Sequence, residues 1–565
     1  MRIMKRTVSA LKTFGTRFSD DRRGNVAMMF ALALPPMMLM TLGGVDIARV
    51  STVRMNVQDA LDAATLAAAR SQYTDNPRIN AVGLAALQAN LAPYGDVTLD
   101  TTQTTFRLNT ATGAVEADAK VNVRALVANI FLPPYGQFFD DQLPANAHSE
   151  VLRSNNRIEV ALVIDNTGSM AGAKLTNTKA AAIDLINRLE AADGRSIEPD
   201  AIKISLVPFS MTVRVDEGGS NTVPGWMTNA IDHTGGGVWA DPANKYSLFD
   251  GNAAGRFTLF GRLNTTWRGC IEAREAPYDV RDTAPIAGTR ASWFVPFFAP
   301  DEPDKGDYPK DSTWTNYTYE GNDYLDDGID AKTGNSPFGS GSAATTARAK
   351  AWWDRVRNTN RYSSTPRGTL NTSFGPNDGC TLGPIIRLTD DYDALRAGVN
   401  GMIASGNTNV PLGAMWGWHT LSPNAPFRDG RAYGTERLKK IIIIMTDGEN
   451  VMSSVSNPNA SSYNGNGYVW QNRLGITSGS DSVRRTKMDD RFDSPNAGTE
   501  DMCGNMKDED IEVYTVAVQV DSAAQTLLRR CATDTDHYFP VNSAAGIGAA
   551  FDRIAGAIEN LRISR

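Results

Sequence analysis

A carboxylate and two hydroxyl groups follow one another closely at the end of an apolar run. The run IEVALVI (residues 158–164) leads into Asp165, Thr167 and Ser169, which lie within five positions. Carboxylate and hydroxyl oxygens suit Mg²⁺ or another hard divalent ion. Such a run is typical of a strand buried in a parallel sheet, and open α/β sheets bind ligands at the carboxyl ends of their strands. The spacing therefore predicts a cation site at the end of a strand.

The elements that must position this cluster alternate between strand and helix. Helical periodicity follows the cluster over residues 175–189, and apolar strand patterns recur further along the chain. The remaining predicted strands are 202–209, 438–446, 511–520 and 537–541, and the later predicted helices are 522–533 and 543–561. This order predicts a doubly wound α/β sheet with helices on both faces.

The Asp-x-Thr-x-Ser pattern resembles the metal-ion-dependent adhesion site of von Willebrand factor type A domains, which is usually written Asp-x-Ser-x-Ser. The resemblance implies a Rossmann-like doubly wound fold and two further site residues, Thr408 in SGNTN and Asp447 in IIIIMTDGEN. It implies that Thr167 and Ser169 bind the ion directly, while Asp165, Asp447 and Thr408 act directly or through water. The implied ion is Mg²⁺, or else Mn²⁺ or Ca²⁺, and the implied partner is a protein that offers an acidic residue to it. The alternative is a degenerate site whose residues only hydrogen-bond the loops together.

Composition and motifs argue against several other functions. A net charge of -7 over 565 residues gives no basic footprint for nucleic acid. The run GSMAGAK does not have the spacing of a nucleotide-binding loop, and the chain contains no Gly-x-Ser-x-Gly or His-Glu-x-x-His motif. The sequence therefore predicts a non-enzymatic protein that binds neither nucleic acid nor nucleotide.

The amino-terminal region is predicted to cross a membrane once. Residues 26–45 carry no charge, and twenty helical residues span about 30 Å, the thickness of a bilayer core. The preceding segment, residues 1–24, is basic and is therefore expected in the cytoplasm. A cleaved secretory signal is the alternative. We expect a transmembrane helix and stalk over 25–72 and a small α+β region over 73–155, with a second helix at 79–91 and a hairpin within 97–123.

The run RRGNVAMMFALALPPMMLMTLGGVDIARV resembles the amino-terminal segment of TadG-like proteins of the bacterial Tad (Flp) pilus-assembly system. Met29 stands where prepilin-like relatives carry a Glu, so cleavage by a prepilin peptidase is not expected. The resemblance implies that the α+β region at 73–155 is pilin-like. It also implies a bacterial membrane protein of pilus assembly whose main domain is periplasmic or extracellular and binds partner proteins, pilus or envelope components among them. The alternative is a surface adhesin or matrix-binding protein of the same fold that is unrelated to pili.

A Trp-rich insertion and four cysteines complete the predicted organisation. Residues 217–384 interrupt the strand–helix alternation and carry seven of the ten Trp, so the type A domain is predicted over 156–216 and 385–565. Within the insertion, the acidic run 322–330 is expected to be a solvated loop. An oxidising compartment favours disulfides, and four cysteines allow three pairings. We favour Cys270 with Cys380 and Cys503 with Cys531, and structural zinc is the alternative.

Overall fold

The computed structural model describes two compact units, Met1–Ser154 with Ile563–Arg565, and Asn155–Arg562. The described residues are 25–563 except 72, 96, 111, 125–130, 133–135, 138–141, 154–155, 195, 197, 199, 217, 228–247, 250–254, 303–321, 326–355, 357, 456 and 497. The boundary predicted from the sequence, between residues 155 and 156, lies one residue further along the chain. The predicted basic segment at 1–24 lies outside the described residues.

The first unit packs two helices on an antiparallel sheet. Its helices are α1 (Asn25–Ala69) and α2 (Asn76–Leu91), and its strands are β1 (Val97–Leu99), β2 (Thr105–Asn109), β3 (Ala114–Arg124), β4 (Phe131–Leu132), β5 (Gly136–Gln137) and β6 (Gln142–Leu152). Strand β3 pairs with β1, β2 and β6, while β4 and β5 form a separate pair. The predicted second helix and hairpin are present, but β6 was not predicted.

Asparagines of α2 bind the backbone of strand β2. The side-chain oxygens of Asn76 and Asn80 accept hydrogen bonds from the amides of Leu108 and Phe106, each at 2.8 Å. An edge strand otherwise exposes such donors to other chains. The sequence therefore holds α2 on the sheet by polar contacts as well as by its buried apolar side chains.

The amino-terminal helix does not confirm the predicted membrane span. Among the residues that the structure describes, no helix has both the length and the apolar composition that crossing a bilayer requires. The predicted segment forms part of α1, which runs for 45 residues. Side chains on its described part are exposed, among them Met29, Phe30 and Leu32.

The second unit is built on a mostly parallel sheet. Its strands are β7 (Arg157–Asp165), β8 (Ile202–Phe209), β9 (Val213–Arg214), β10 (Cys270–Ile271), β11 (Ile386–Thr389), β12 (Leu438–Thr446), β13 (Ile511–Val518) and β14 (Tyr538–Val541). They lie in the order β10-β9-β8-β7-β12-β13-β14, and β11 also pairs with β8. The pairs between β8, β7, β12, β13 and β14 are parallel, whereas β9, β10 and β11 pair antiparallel. The chain order reverses between β7 and β12, which makes this the switch point of a doubly wound sheet.

Both faces of this sheet are covered. The helices are α3 (Ala173–Asp193), α4 (Arg256–Arg262), α5 (Tyr392–Gly401), α6 (Val410–Leu421), α7 (Asp481–Phe492), α8 (Met502–Asp508), α9 (Ser522–Cys531) and α10 (Ile547–Ile563). Alternate strand residues such as Val160 and Leu162 share one buried cluster with α3, α5 and α10. Their neighbours Ala161 and Val163 share the other cluster with α6, α8, α9 and the insertion. The alternation follows from the two-residue repeat of a strand.

The insertion packs on the second of these faces and begins and ends beside the sheet. The amide of Ile385, where the chain returns, donates to the carbonyl of Arg214, where the chain leaves, at 2.7 Å. The Cys270–Cys380 disulfide closes the insertion on itself, and a second disulfide joins Cys503 to Cys531. The pairing that the sequence analysis favours is thus the pairing in the structure.

Buried charge also holds the insertion together. The Glu272 carboxylate is fully buried and pairs with Arg256 and, at 2.8 Å, with Arg473. The expectation of a solvated acidic loop is wrong for the start of the run at 322–330, because Tyr324 and Leu325 are fully buried in the aromatic core. Residues 326–330 of that run lie outside the described residues.

Candidate metal centre

The candidate residues meet at one edge of the second unit's sheet. Asp165 is the last residue of β7, and Asp447 follows the last residue of β12. The parallel register pairs Ile164 with Met445, so the next residues, Asp165 and Thr446, lie side by side. The edge is the carboxyl end of the strands at the switch point, which is where open α/β sheets bind ligands.

Asp165 is held rigidly at the base of this edge. Its Oδ1 accepts the amide of Thr167 at 2.8 Å, and its Oδ2 accepts the Thr446 hydroxyl at 2.6 Å. Burial raises the pKa of Asp165 to about 6 although these hydrogen bonds lower it, and the nearby Asp447 charge raises it further. The buried carboxylate therefore favours a compensating cation nearby.

A continuous hydrogen-bonded chain links the other oxygens. The Thr167 and Ser169 hydroxyl oxygens lie 2.9 Å apart, and Ser169 Oγ donates to Asp447 Oδ1 at 2.6 Å. The other oxygen of this carboxylate, Oδ2, accepts from Lys174 Nζ at 2.5 Å. Thr167 is buried while Ser169 is exposed, so the chain runs from the base of the edge to solvent.

Helix α6 brings Thr408 to the same edge. Its cap residue Asn409 accepts the amide of Leu412 at 3.3 Å, and Thr408 lies one residue earlier. A β-carbon added at Gly448 would lie 3.0 Å from Thr408 Oγ1 and 3.6 Å from Ser169 Oγ. The Thr408 and Ser169 hydroxyls therefore approach the same point from two different loops.

Two glycines of α6 allow this approach. A β-carbon on Gly417 would lie 2.3 Å from Val163 Cγ2, and one on Gly413 would lie 2.4 Å from Phe209 Cγ. Both residues face the sheet because they are four positions apart on the helix. Their lack of side chains sets how closely α6, and with it Thr408, sits on the strands.

Backbone hydrogen bonds fix the loops to one another. The amide of Gly168 donates to the carbonyl of Gly406 at 3.0 Å, and the amide of Ser405 donates to the carbonyl of Asn166 at 2.7 Å. The amide of Val451 in turn donates to the carbonyl of Thr408 at 2.9 Å. The three loops are therefore positioned by main-chain contacts that do not depend on the candidate ligands.

The structure thus brings all five predicted residues to one edge, and this set of oxygens suits a hard divalent ion. Among the described residues, no group of three or more His, Cys, Asp or Glu side chains could hold a metal, so the candidate centre relies on hydroxyls beside its carboxylates. A further buried hydroxyl, Ser210 Oγ, has no hydrogen-bond partner in the described part of the chain and lies beside Gly406. These observations fit a cation that is held by two carboxylates and several uncharged hydroxyl oxygens.

Sequence reasoning missed Thr446 and the role of Lys174. The Thr446 hydroxyl orients Asp165 from the neighbouring strand, and Lys174 pairs with Asp447 across 273 positions of sequence. Thr446 immediately precedes Asp447, but only the strand register shows which carboxylate it binds. In the sequence the lysine ends the run GSMAGAK, which invites comparison only with nucleotide-binding loops.

The insertion packs against Met211, which lies beside the loop that carries Thr408. A β-carbon on Gly379 of the insertion would lie 2.9 Å from Met211 Sδ, and one on Gly406 would lie 3.6 Å from Met211 Cγ. Met211 therefore lies between the disulfide-closed insertion and the loop that carries Thr408. The amide of Gly465 also donates to the Met211 carbonyl at 2.9 Å.

Comparison with known families finds a match over the amino-terminal segment. Residues 24–71 match the Tad family, which is described as Flp pilus-assembly TadE/G-like. This range contains the whole of α1. The comparison with curated proteins found no match.

Several solved structures of pilus proteins show a distant likeness. The von Willebrand factor domain of the type V pili tip protein Mfa5 from Porphyromonas gingivalis is 12% identical, with a TM-score of 0.29 over 73% of this chain and 97% of that one. The pilus adhesin RrgA from Streptococcus pneumoniae is 10% identical, with a TM-score of 0.30 over 80% and 49%. The pilus adhesin SpaC from Lactobacillus rhamnosus GG is 9% identical, with a TM-score of 0.28 over 82% of this chain, and the match spans only 34% of SpaC.

Proposed function

We propose that this protein is a non-enzymatic, pilus-associated envelope protein whose second unit binds a partner protein through a divalent ion, as von Willebrand factor type A domains do. The observation that carries the proposal is the hydrogen-bonded chain from Thr167 through Ser169 to Asp447 at the switch point of the sheet. The match of residues 24–71 to the Tad family supports the association with pili.

The chain's own residues divide the work of holding an ion. Thr167 and Ser169 supply hydroxyl oxygens, and Thr408 supplies a third from the α6 loop. Asp165 and Asp447 supply the negative charge, and Thr446 keeps Asp165 oriented. When bound, Mg²⁺ supplies a positive charge with six oxygen positions, and it readily keeps waters that an incoming carboxylate can replace.

The exposure of the candidate residues fits this role. Asp165 is fully buried, so its charge stabilises the ion without competing for the partner. Ser169 is exposed, so the solvent side of the edge is open to another protein. We therefore expect the partner to present a Glu or Asp at this edge.

We also propose that α1 anchors the protein in the membrane. The segment 26–45 carries no charge, and its described side chains Met29, Phe30 and Leu32 are exposed to 60%, 66% and 74%. Large exposed apolar side chains on one segment favour contact with lipid or with another apolar surface. Fractionation of cells tests this proposal, because the full chain should sediment with membranes and resist extraction by alkaline carbonate.

The ion proposal is tested by direct binding and by capture of partners. The full chain, kept in detergent, is titrated with Mn²⁺ while free Mn²⁺ is followed by electron paramagnetic resonance. Thr408→Ala should weaken ion binding because one oxygen is lost, and it should reduce capture of envelope proteins in Mg²⁺. The matched control is Thr176→Ala, since Thr176 is an exposed threonine of α3 whose hydroxyl donates to the carbonyl of the nearby Gly172.

The outcomes separate the alternatives. Capture that depends on Mg²⁺, is lost in EDTA and is lost in Asp165→Ala supports the proposal. Equal capture with and without EDTA contradicts it, and ion binding that is unchanged in both Asp165→Ala and Thr408→Ala contradicts the assignment of the ligands. Circular dichroism of each variant checks that the fold is intact.

A further inference from the structure

The ion pair between Lys174 and Asp447 lies inside the candidate metal centre. Lys174 Nζ is 2.5 Å from Asp447 Oδ2, and the Asp447 side chain is fully buried while that of Lys174 is 24% exposed. Ser169 Oγ binds the other oxygen of the same carboxylate at 2.6 Å. Both oxygens of Asp447 are therefore already engaged by donors from the same chain.

The position of Lys174 in its helix is unfavourable without this pairing. It is the second residue of α3, which starts after Gly172 at a φ of 80° and has no side-chain cap. The amino-terminal end of a helix carries a partial positive charge, so a lysine in the first turn is repelled by it. The Asp447 carboxylate offsets this repulsion, which makes the pair a specific feature of the site.

A divalent ion and the lysine need the same carboxylate. Two cations within a few ångströms of each other repel strongly when water is scarce, and the Asp447 side chain is fully buried. The lysine has a flexible four-carbon chain and partial exposure, so its ammonium group can turn outward to solvent. Ion binding and the Lys174–Asp447 pair therefore oppose each other.

We propose that Lys174 is an intramolecular competitor of the divalent ion. It neutralises Asp447 and holds the loops of the site together, and the ion binds only by displacing it. The residue thereby lowers the affinity of the site, so that occupancy follows the divalent-ion concentration outside the cytoplasm instead of being permanent. This inference rests on the proposed function, because it concerns the same ion site.

The test compares two lysine variants of the full chain in detergent. Mn²⁺ is titrated, and free Mn²⁺ is measured by electron paramagnetic resonance. Lys174→Met should bind Mn²⁺ at least tenfold more tightly than the wild type. Lys179→Met is the matched control, because Lys179 lies on the same helix and bonds to the Asn400 carbonyl at 2.9 Å, and it should leave the affinity unchanged.

A second measurement keeps the test valid if affinity alone is ambiguous. In EDTA, Lys174→Met should melt at a lower temperature than the wild type, because Asp447 loses its partner, and Mn²⁺ should raise its melting temperature by more than it raises that of the wild type. Lys174→Arg retains the charge and should behave like the wild type in both measurements.

Each outcome has a distinct meaning. Equal or weaker Mn²⁺ binding by Lys174→Met, with clear binding by the wild type, overturns the competitor role and leaves the proposed function standing. Binding by Lys174→Met alone supports the competition but overturns the proposed function of the wild-type site. Absence of binding in both proteins overturns both proposals.

Discussion

Replacing Gly417 by alanine tests whether the close packing of α6 positions Thr408. The added β-carbon would lie 2.3 Å from Val163 Cγ2 and 2.9 Å from Ile442 Cδ1, whereas ordinary contacts are 3.4–4 Å. Both neighbours are β-branched residues on central strands, β7 and β12, so neither can easily move aside. The helix must therefore shift away from the sheet.

The expected size of the effect follows from two opposing terms. Overpacking of a core costs about 1–3 kcal/mol, and the two short contacts favour the upper end of that range. Alanine recovers about 1 kcal/mol because it is the better helix former. We expect a net loss of about 2 kcal/mol in the free energy of unfolding. Because α6 begins immediately after Thr408 and Asn409, its shift should also weaken Mn²⁺ binding by about tenfold, or about 1.4 kcal/mol.

Chemical denaturation and Mn²⁺ titration measure the two effects. The control is Gly401→Ala, at the end of α5, where an added β-carbon meets no atom within 4 Å, and this variant should lose neither stability nor affinity. Adding Val163→Ala to Gly417→Ala makes room for the new methyl group, so the double variant should be more stable than the sum of the single effects predicts, by about 0.5–3 kcal/mol. A Gly417→Ala protein as stable as the wild type, or strictly additive effects, would refute the reasoning.

Further predictions concern the disulfides and a buried histidine. The Cys270–Cys380 bridge spans 110 residues and the Cys503–Cys531 bridge spans 28, so loop-closure entropy predicts losses of about 4.8 and about 3.6 kcal/mol when each pair is replaced by alanine. Denaturation of the two double variants checks the order, and a larger loss from the shorter loop contradicts it. Burial, with help from the Arg274 charge, holds the pKa of His419 well below 6.5. As the pH falls through 6.5, His419 therefore stays unprotonated in the folded state but takes up a proton in the unfolded state. Stability should therefore fall between pH 7.5 and 5.5, by about 1.4 kcal/mol from this residue alone, and His419→Phe should lose that part of the pH dependence. An identical slope in both proteins contradicts this account.

The local parts of the site could be predicted because their signal is short in sequence. Asp165 ends a strand with a clear apolar run, and Thr167 and Ser169 follow within four positions. Thr408 and Asp447 were reached only through a family resemblance, since nothing in their own segments indicates which loop they approach. The contact of Thr446 with Asp165 depends on the register between β7 and β12, and that of Lys174 with Asp447 depends on where α3 begins. Composition and periodicity encode neither of them.

The fold shows the same division between local and non-local information. Strands β7, β8, β12 and β13 were predicted because each contains a mostly apolar run. Helix α6 was missed because every residue in it is buried, so it shows no contrast between a polar and an apolar face. Strand β11 has four residues and an irregular register with β8, and such short pieces carry little pattern. Composition indicated the insertion, but its buried ion pairs join distant positions such as Glu272 and Arg473.

The hydrogen bond between Arg214 and Ile385 holds the two ends of the insertion together at the sheet. The two ends of the insertion are as near to each other as the ends of a tight turn. Because the entropy cost of closing a loop grows only slowly with its length, a longer or shorter insertion changes that cost little. Residues can therefore be gained, lost or exchanged in the insertion while β7 and β12 keep their pairing. Changes in the insertion can therefore accumulate beside the candidate metal centre while the edge that carries Asp165 and Asp447 stays the same.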